Sequence, residues 1–149
     1  MTPLSTEQRD ALREITAAIE SMDGGAFDDA LVRAFSTGLH ESLVEPLIAA
    51  ANATWHTRHE DVVHALQQLR PPLAVAVLEH LALSDHTALH YDGGLALVRK
   101  CTWALADIGT AEAKQALARL ATNHNTAFAA FAVRRIERWD DELGRKRGR

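Results

Sequence analysis

HALQQLRPPLAVAVLEHLA, residues 64–82, and WALADIGTAEAKQALARLA, residues 103–121, follow one pattern at a spacing of 39 residues. In each copy, apolar residues recur at helical spacing on both sides of a short polar or proline-containing turn. The pattern therefore predicts a helix, a tight turn and a second helix, occurring twice. The equivalent positions are Ala65 and Ala104, Leu66 and Leu105, Leu69 and Ile108, Ala74 and Ala113, Leu78 and Leu117, Leu81 and Leu120, and Ala82 and Ala121.

The repeat predicts the fold class, because a pair of amphipathic helices cannot bury its apolar side alone and must stack on another pair. Strand signals are nearly absent from the chain, so we expect an all-α protein, an α-solenoid of three to four antiparallel helix pairs. Residues 1–143 form one domain in this prediction, with recognisable repeats over 57–139 and divergent helices over 1–56. Residues 144–149, GRKRGR, are predicted to be a basic flexible tail.

Local signals predict several helix boundaries outside the repeats. The S-T-E-Q pattern from Ser5 is a capping box, and Ser42 with Glu45 offers a second one. A glycine pair separates the first helix from a second, which we expect over Ala26–Thr37. The final helix is expected to run from Thr126 to Trp139.

Composition narrows the function classes. The chain has 149 residues, 47% of them hydrophobic, without an apolar run of the ~18 residues that a membrane span needs. Its first residues are polar and acidic, unlike a signal peptide, so we expect a cytoplasmic protein without a membrane partner. The single cysteine, Cys101, excludes an intramolecular disulfide and a cysteine-based zinc cage, and its apolar surroundings predict an inert buried thiol.

Charge is unevenly distributed along the chain. The net charge is −4, and the last six residues carry +4, so residues 1–143 sum to −8. An acidic body argues against nucleic acid as the partner and favours a basic protein.

The stretch HEDVVH, His59 to His64, differs from the zinc-protease motif H-E-x-x-H by one residue. The two histidines diverge by about 140° around a helix, so they cannot share one metal ion. The wider region holds further histidines, and a metal site built from the helix and the following loop is the alternative; we expect no metal and no cofactor. These histidines are His56, His59, His64, His86 and His90.

The sixth predicted helix carries Arg99, Trp103 and Asp107 at four-residue intervals, away from its apolar stripe. Trp103 either packs against a neighbouring repeat, with Arg99 stacked on it, or stands exposed among charges as an interface hot spot. Tyr91 and Asp92, in the long loop before this helix, would extend the same surface.

RKCTWALADIGTAEAKQALARLA, residues 99–121, resembles the short HEAT-like repeat of bacterial proteins. That repeat has an arginine, then A-x-x-A-L-x-x-I-G, then a helix with A-x-x-x-L-x-x-L. The first copy departs from it, with Arg70 and Pro71 where the family prefers glycine and a small residue. The resemblance covers residues 57–139 and implies a fold, whereas HEAT-like repeats serve many functions. The matching residues are Arg99, Ala104, Leu105, Ile108, Gly109, Ala113, Leu117 and Leu120.

A narrower resemblance links Trp55, Arg58–Asp61, His90–Asp92 and Ala96–Thr110 to small stand-alone bacterial HEAT-like proteins. Some of these act as immunity proteins of polymorphic or contact-delivered toxins. The resemblance implies a non-enzymatic protein that neutralises a toxin, and the acidic body suggests a basic toxin domain such as a nuclease. The predicted partner-binding residues are Trp55, Glu60, Asp61, His64, Tyr91, Asp92, Arg99, Trp103 and Asp107.

Two other classes of function stay open. One is a general HEAT-like scaffold or regulatory adaptor. The other is a HEAT-like lyase or DNA-repair enzyme, against which stand the acidic body and the lack of a sequence motif that carries chemistry. We therefore name no catalytic residue.

Overall fold

The computed structural model describes residues 2–84 and 92–147, with side chains described as far as Leu143. All regular secondary structure within these residues is helical, and no helix there is long and apolar enough to span a bilayer. Short 3₁₀ turns, Glu41–Leu43 and Pro72–Ala74, precede α3 and α5. The α-helices are α1 (Thr6–Ser21), α2 (Gly24–Thr37), α3 (Val44–Ala50), α4 (His59–Leu69), α5 (Val75–Leu83), α6 (Leu95–Ile108), α7 (Ala111–Leu120), α8 (Thr126–Glu137) and α9 (Trp139–Arg147).

The helices contact one another in a regular order. Each odd-numbered helix from α1 to α7 packs against the even-numbered helix that follows it. In addition, α4 contacts α6 and α6 contacts α8, while α1 contacts α3 and α5 contacts α7. Helix α6 lies at the centre, packed against α4, α5, α7, α8 and α9. One continuous apolar core results, to which alanine and leucine contribute most of the side chains.

Each sequence copy folds, as predicted, into a helix, a short turn and a second helix, α4 and α5 in the first copy and α6 and α7 in the second. The equivalence extends to the backbone of the turn. Arg70 ends α4 at φ 52°, ψ 46°, and Gly109, 39 residues later, ends α6 at φ 73°, ψ 16°. Both residues therefore adopt the left-handed conformation that commonly terminates helices.

At the N-terminus, the predicted capping box is confirmed, since the Ser5 and Gln8 side chains each accept a hydrogen bond from the other residue's backbone N–H. Helix α2 begins at Gly24, two residues before the predicted start. The cause is Asp23, whose carboxylate accepts a hydrogen bond from the backbone N–H of Ala26 at 3.0 Å. An aspartate at this position lets both glycines enter the first helical turn.

The second predicted capping box, Ser42 with Glu45, is wrong. His40 caps the 3₁₀ turn instead, because its Nδ1 accepts a hydrogen bond from the backbone N–H of Ser42 at 3.0 Å. The Ser42 hydroxyl lies 2.9 Å from the same nitrogen, so it is engaged outside the helix. Helix α3 then starts at Val44 without a side-chain cap.

The C-terminal part differs from the single helix predicted over 126–139. Helix α8 ends at Glu137, Arg138 leaves the helical conformation with φ −99° and ψ 12°, and α9 continues to Arg147. The helical backbone thus includes the first four residues of the segment predicted as a tail. Helix α9 contacts α6 and α8, and it buries Trp139 and Glu142.

Candidate functional site

The repeat places predicted site residues at equivalent positions of α4 and α6. Glu60, Asp61, His64 and Gln68 of α4 correspond, at a spacing of 39, to four residues of α6. Within each helix these four positions span an arc of about 100°, so they share one side. We call this set the α4–α6 surface. Its members are Glu60, Asp61, His64, Gln68, Arg99, Lys100, Trp103 and Asp107.

Polar contacts join the two halves of the α4–α6 surface. Oε1 of Glu60 lies 3.9 Å from Nζ of Lys100, and Nε2 of Gln67 donates a hydrogen bond to Oδ2 of Asp107 at 2.8 Å. Gln67, Arg99, Lys100 and Trp103 line a pocket of about 240 Å³. Four residues predicted from the sequence, Glu60, Arg99, Trp103 and Asp107, are therefore connected through neighbouring side chains.

The charge of this surface differs from the acidic face expected from the sequence. Glu60 and Asp61 on α4 are replaced at the equivalent positions of α6 by Arg99 and Lys100. Both acidic residues also have cationic neighbours within the chain, Lys100 for Glu60 and Arg58, at 3.7 Å, for Asp61. The surface therefore carries both signs of charge.

Trp103 is partly exposed and carries a stacked arginine, but that arginine is Arg135 of α8. The guanidinium carbon of Arg135 lies 3.5 Å from the ring centroid, and Arg99, the predicted stacking partner, is exposed to solvent. Nη1 of Arg135 in turn donates a hydrogen bond to Oε1 of Glu142, which lies on α9, at 2.5 Å. Sequence reasoning missed both residues, because no local pattern brings α8 and α9 to Trp103.

Trp55 does not lie on the α4–α6 surface. Its half-buried ring contacts Phe27 of α2 edge-on, with centroids 5.2 Å apart, and His56 at 4.9 Å. This ring thus helps to pack α2 against the segment before α4.

Asp92 binds the start of α6. Oδ1 accepts a hydrogen bond from the backbone N–H of Gly94 at 3.0 Å, and Oδ2 accepts one from Ala96 at 2.9 Å. These bonds engage both carboxylate oxygens at the helix N-terminus. Tyr91, the other predicted loop residue, lies outside the described residues.

His64 connects the α4–α6 surface to a groove that sequence reasoning did not identify. Its ring stacks on Phe35 of α2 at 5.7 Å, and its Nε2 lies 2.8 Å from Nε2 of Gln68. Beside this contact, a cavity of about 460 Å³ opens between α2 and α4, which we call the α2–α4 groove. Its lining consists of Asp28, Leu31, Val32, Phe35, Ser36, Arg58 and Asp61.

The buried histidines His56 and His59 form hydrogen bonds with backbone groups. Nε2 of His56 lies 2.7 Å from the carbonyl of Ala50, and Nδ1 accepts a hydrogen bond from the backbone N–H of Arg58 at 3.0 Å. These contacts assign a neutral ring protonated at Nε2. Burial lowers the pKa of His56, against smaller opposing effects of the Ala50 carbonyl and Asp28. His59 similarly contacts the carbonyl of Ala53 at 2.6 Å.

The described residues contain no group of three histidine, cysteine or carboxylate side chains placed to hold a metal ion. His86 and His90, the loop histidines of the metal alternative, lie outside the described residues. Cys101 is buried within α6, as predicted, and burial raises the pKa of its thiol. A thiol in this environment is a poor nucleophile.

Comparisons of the chain with protein-family models, with curated proteins and with solved structures find no match.

Proposed function

We propose that this chain is a cytoplasmic, non-enzymatic protein-binding module, and specifically an immunity protein that binds and neutralises a bacterial toxin. The observation that carries the proposal is the α4–α6 surface, where equivalent positions of two repeats form one outward face. That face combines a partly exposed tryptophan with charges of both signs. The toxin assignment comes from the resemblance to stand-alone HEAT-like immunity proteins.

The proposal includes a HEAT-like α-solenoid as the scaffold. Its support is the contact order, in which α4, α6 and α8 follow one another on one side and α5 and α7 on the other. The shared left-handed turn at Arg70 and Gly109 supports the same arrangement. Stacked repeats present equivalent side chains in rows, which suits them to extended protein surfaces.

The physics of the α4–α6 surface fits protein recognition. Trp103 is held in place by Arg135, so its ring loses little conformational freedom when a partner covers it. Aromatic side chains of this kind supply much of the binding energy at interfaces. The surrounding charges then select the partner and its orientation, because unmatched charges at an interface are costly.

The first test is to purify the tagged protein from its native cell and identify a stoichiometric partner by mass spectrometry. Affinity for that partner is then measured for Arg99→Glu, which reverses one exposed charge of the α4–α6 surface. We expect a loss of about tenfold or more. Glu112→Lys, an exposed charge reversal on α7, is the matched control and should leave the affinity within about twofold.

The toxin part of the proposal has its own test. Expression of the partner in a susceptible cell should arrest growth, and co-expression of this chain should restore it. A partner that binds through the α4–α6 surface but has no toxic activity would instead support the scaffold or adaptor function. Equal affinities for Arg99→Glu and Glu112→Lys would reject the α4–α6 surface as the binding site.

A further inference from the structure

The α2–α4 groove has an apolar floor formed by one side of α2. Leu31 is buried beneath it, Phe35 is partly buried, and Val32 is 69% exposed. From Asp28 to Ser36 the groove follows α2 for about 12 Å, or roughly two helical turns. The site is therefore long enough for two successive turns of a second helix laid along it.

Val32 has no structural reason to be apolar, because it contributes little to the core. Exposed apolar side chains that line a concave surface mark binding sites more often than isolated ones on a convex surface. The stacked rings of Phe35 and His64 lie on the α4 side of this position. An apolar side chain of a partner would remove Val32 and Phe35 from water together.

The charged residues around the groove indicate which charge a partner should carry beside such an apolar side chain. Arg58 is bound to Asp28, with Nε 3.0 Å from Oδ1 and Nη2 3.3 Å from Oδ2. Asp61 contacts the same guanidinium at 3.7 Å and keeps 52% of its side chain exposed. The two carboxylates thus outnumber the one cation in the lining.

The part of the chain that supplies most of this groove is itself acidic, which adds to the negative potential at the groove. Residues 2–56 contain nine carboxylates and three arginines, a net charge of −6, whereas residues 57–149 sum to +2. The acidity of the protein is therefore concentrated around α1 to α3. A potential of this sign attracts and orients cationic segments.

We propose that the α2–α4 groove binds a basic amphipathic α-helix of a partner protein. Its leucine-type side chains pack on Val32 and Phe35, and its lysine or arginine side chains lie beside Asp28 and Asp61. This inference rests on the proposed function, because it specifies how a partner protein docks beside the α4–α6 surface. His64 belongs to that surface and also contacts the groove, so one partner can occupy both.

The test uses three fluorescein-labelled 14-residue peptides and fluorescence anisotropy at two salt concentrations. One peptide is an amphipathic Leu/Lys helix, the second replaces its lysines with glutamate, and the third replaces its leucines with serine. We expect the Leu/Lys peptide to bind at least about tenfold more tightly than either of the others. Val32→Asn should weaken it by about tenfold, and Asp61→Asn should reduce the salt dependence of binding.

Leu73→Asn is the matched control, because Leu73 is 64% exposed but lies in the turn before α5. It should leave affinity for the Leu/Lys peptide unchanged, and circular dichroism should show that both variants keep their helix content. Equal effects of Val32→Asn and Leu73→Asn would overturn the proposal. So would equal binding of the Leu/Lys and Ser/Lys peptides, which would indicate attraction by charge alone, or no binding of the Leu/Lys peptide.

A separate outcome distinguishes this inference from the proposed function. If the native partner binds wild type and Val32→Asn equally but loses affinity for Arg99→Glu, the groove proposal fails and the α4–α6 surface stands. If the Leu/Lys peptide depends on Val32 while Arg99→Glu leaves the affinity for a native partner unchanged, the groove stands as a helix-binding site and the α4–α6 surface is rejected as the binding site.

Discussion

Arg135 joins three helices through one side chain: its guanidinium carbon lies 3.5 Å from the Trp103 ring centroid, and its Nη1 donates to Glu142 Oε1. Arg135 is 6% exposed and Glu142 is fully buried, so both charged groups are shielded from water. Oε2 of Glu142 has no hydrogen-bond partner among the described residues. A buried ion pair thus joins α8 to α9, and the stacking of the same arginine on Trp103 joins both to α6.

Arg135→Ala should lower the free energy of unfolding by about 3–5 kcal/mol, because it removes the closer and better-buried of the two cations beside the buried Glu142 carboxylate. The other cation, Arg138, is half exposed, and its Nε lies 3.7 Å from the same Oε1. Urea denaturation followed by circular dichroism measures the change. Arg134→Ala is the matched control, since Arg134 is the exposed neighbour on α8, and it should change stability by less than about 0.5 kcal/mol.

The double variant, Arg135→Met combined with Glu142→Leu, should recover most of the lost stability. An apolar pair at these two positions avoids the cost of removing charges from water. Equal stability of Arg135→Ala and Arg134→Ala would show that the buried ion pair does not form.

The adjacent glycines at the start of α2 should respond in opposite directions to alanine. A Cβ at Gly24 would lie 2.7 Å from the carbonyl oxygen of Trp55, so Gly24→Ala should destabilise the protein by about 1–3 kcal/mol. A Cβ at Gly25 would meet its nearest atom, in Asp23, at 3.6 Å. Gly25→Ala should therefore stabilise by about 0.5–1 kcal/mol. Thermal unfolding of the two variants measures both effects; two changes of the same sign would contradict the close approach of Trp55.

Stability should fall on acidification because of His56. Burial lowers the pKa of His56 in the folded state, whereas the unfolded chain takes up a proton near the usual value of 6.5. Below that pH the unfolded state binds more protons, so stability falls by at most about 1.4 kcal/mol per pH unit for this group. Urea denaturation at pH 7.5 and 5.5 should show a smaller decrease for His56→Gln than for wild type. His64→Gln, at an exposed site, should retain the wild-type decrease, and an unchanged decrease in His56→Gln would refute this account.

The two repeat-equivalent turn residues, Arg70 and Gly109, offer a reciprocal pair of substitutions. Arg70 adopts φ 52°, which is unfavourable for a residue with a Cβ, so Arg70→Gly should stabilise by up to about 1 kcal/mol. Gly109→Ala should destabilise by about 1–2 kcal/mol, because φ is 73° and the new Cβ would lie 3.1 Å from Leu143. Differential scanning calorimetry measures the change in stability for both variants. A loss of stability in Arg70→Gly would mean that contacts of the arginine side chain outweigh its backbone strain.

The helix pairs α4–α5 and α6–α7 could be predicted from sequence because their apolar residues recur at the helical period on both sides of a recognisable turn. The same reasoning failed at Ser42. A capping box is a short pattern, and here Ser42 is engaged by His40 instead, whose Nδ1 accepts a hydrogen bond from the Ser42 backbone N–H and lies 2.9 Å from its hydroxyl. It also failed at Arg138, where the contacts of α9 with α6 and α8 accompany a new helix.

For the candidate site, too, some features could be predicted from the sequence and others could not. Glu60, His64, Arg99 and Trp103 were predicted from their polar positions on two periodic helices, and the structure places them on neighbouring elements. Trp55 and Asp92 were also predicted to contact a partner. In the structure the Trp55 ring packs against Phe27, and the Asp92 carboxylate accepts hydrogen bonds at the start of α6. A residue's type and spacing indicate which side of a helix it occupies, whereas its partners come from other elements.

The sequence by itself therefore determined the helical class, the 39-residue repeat and the buried side of α4 to α7, because these follow from local periodicity. The tertiary structure alone decided which side chains meet. Arg135 reaches Trp103, Asp107 accepts from Gln67, and Val32 faces a groove. Such contacts join residues that are far apart in the sequence, and they depend on how whole helices pack. No local pattern in the chain encodes that packing.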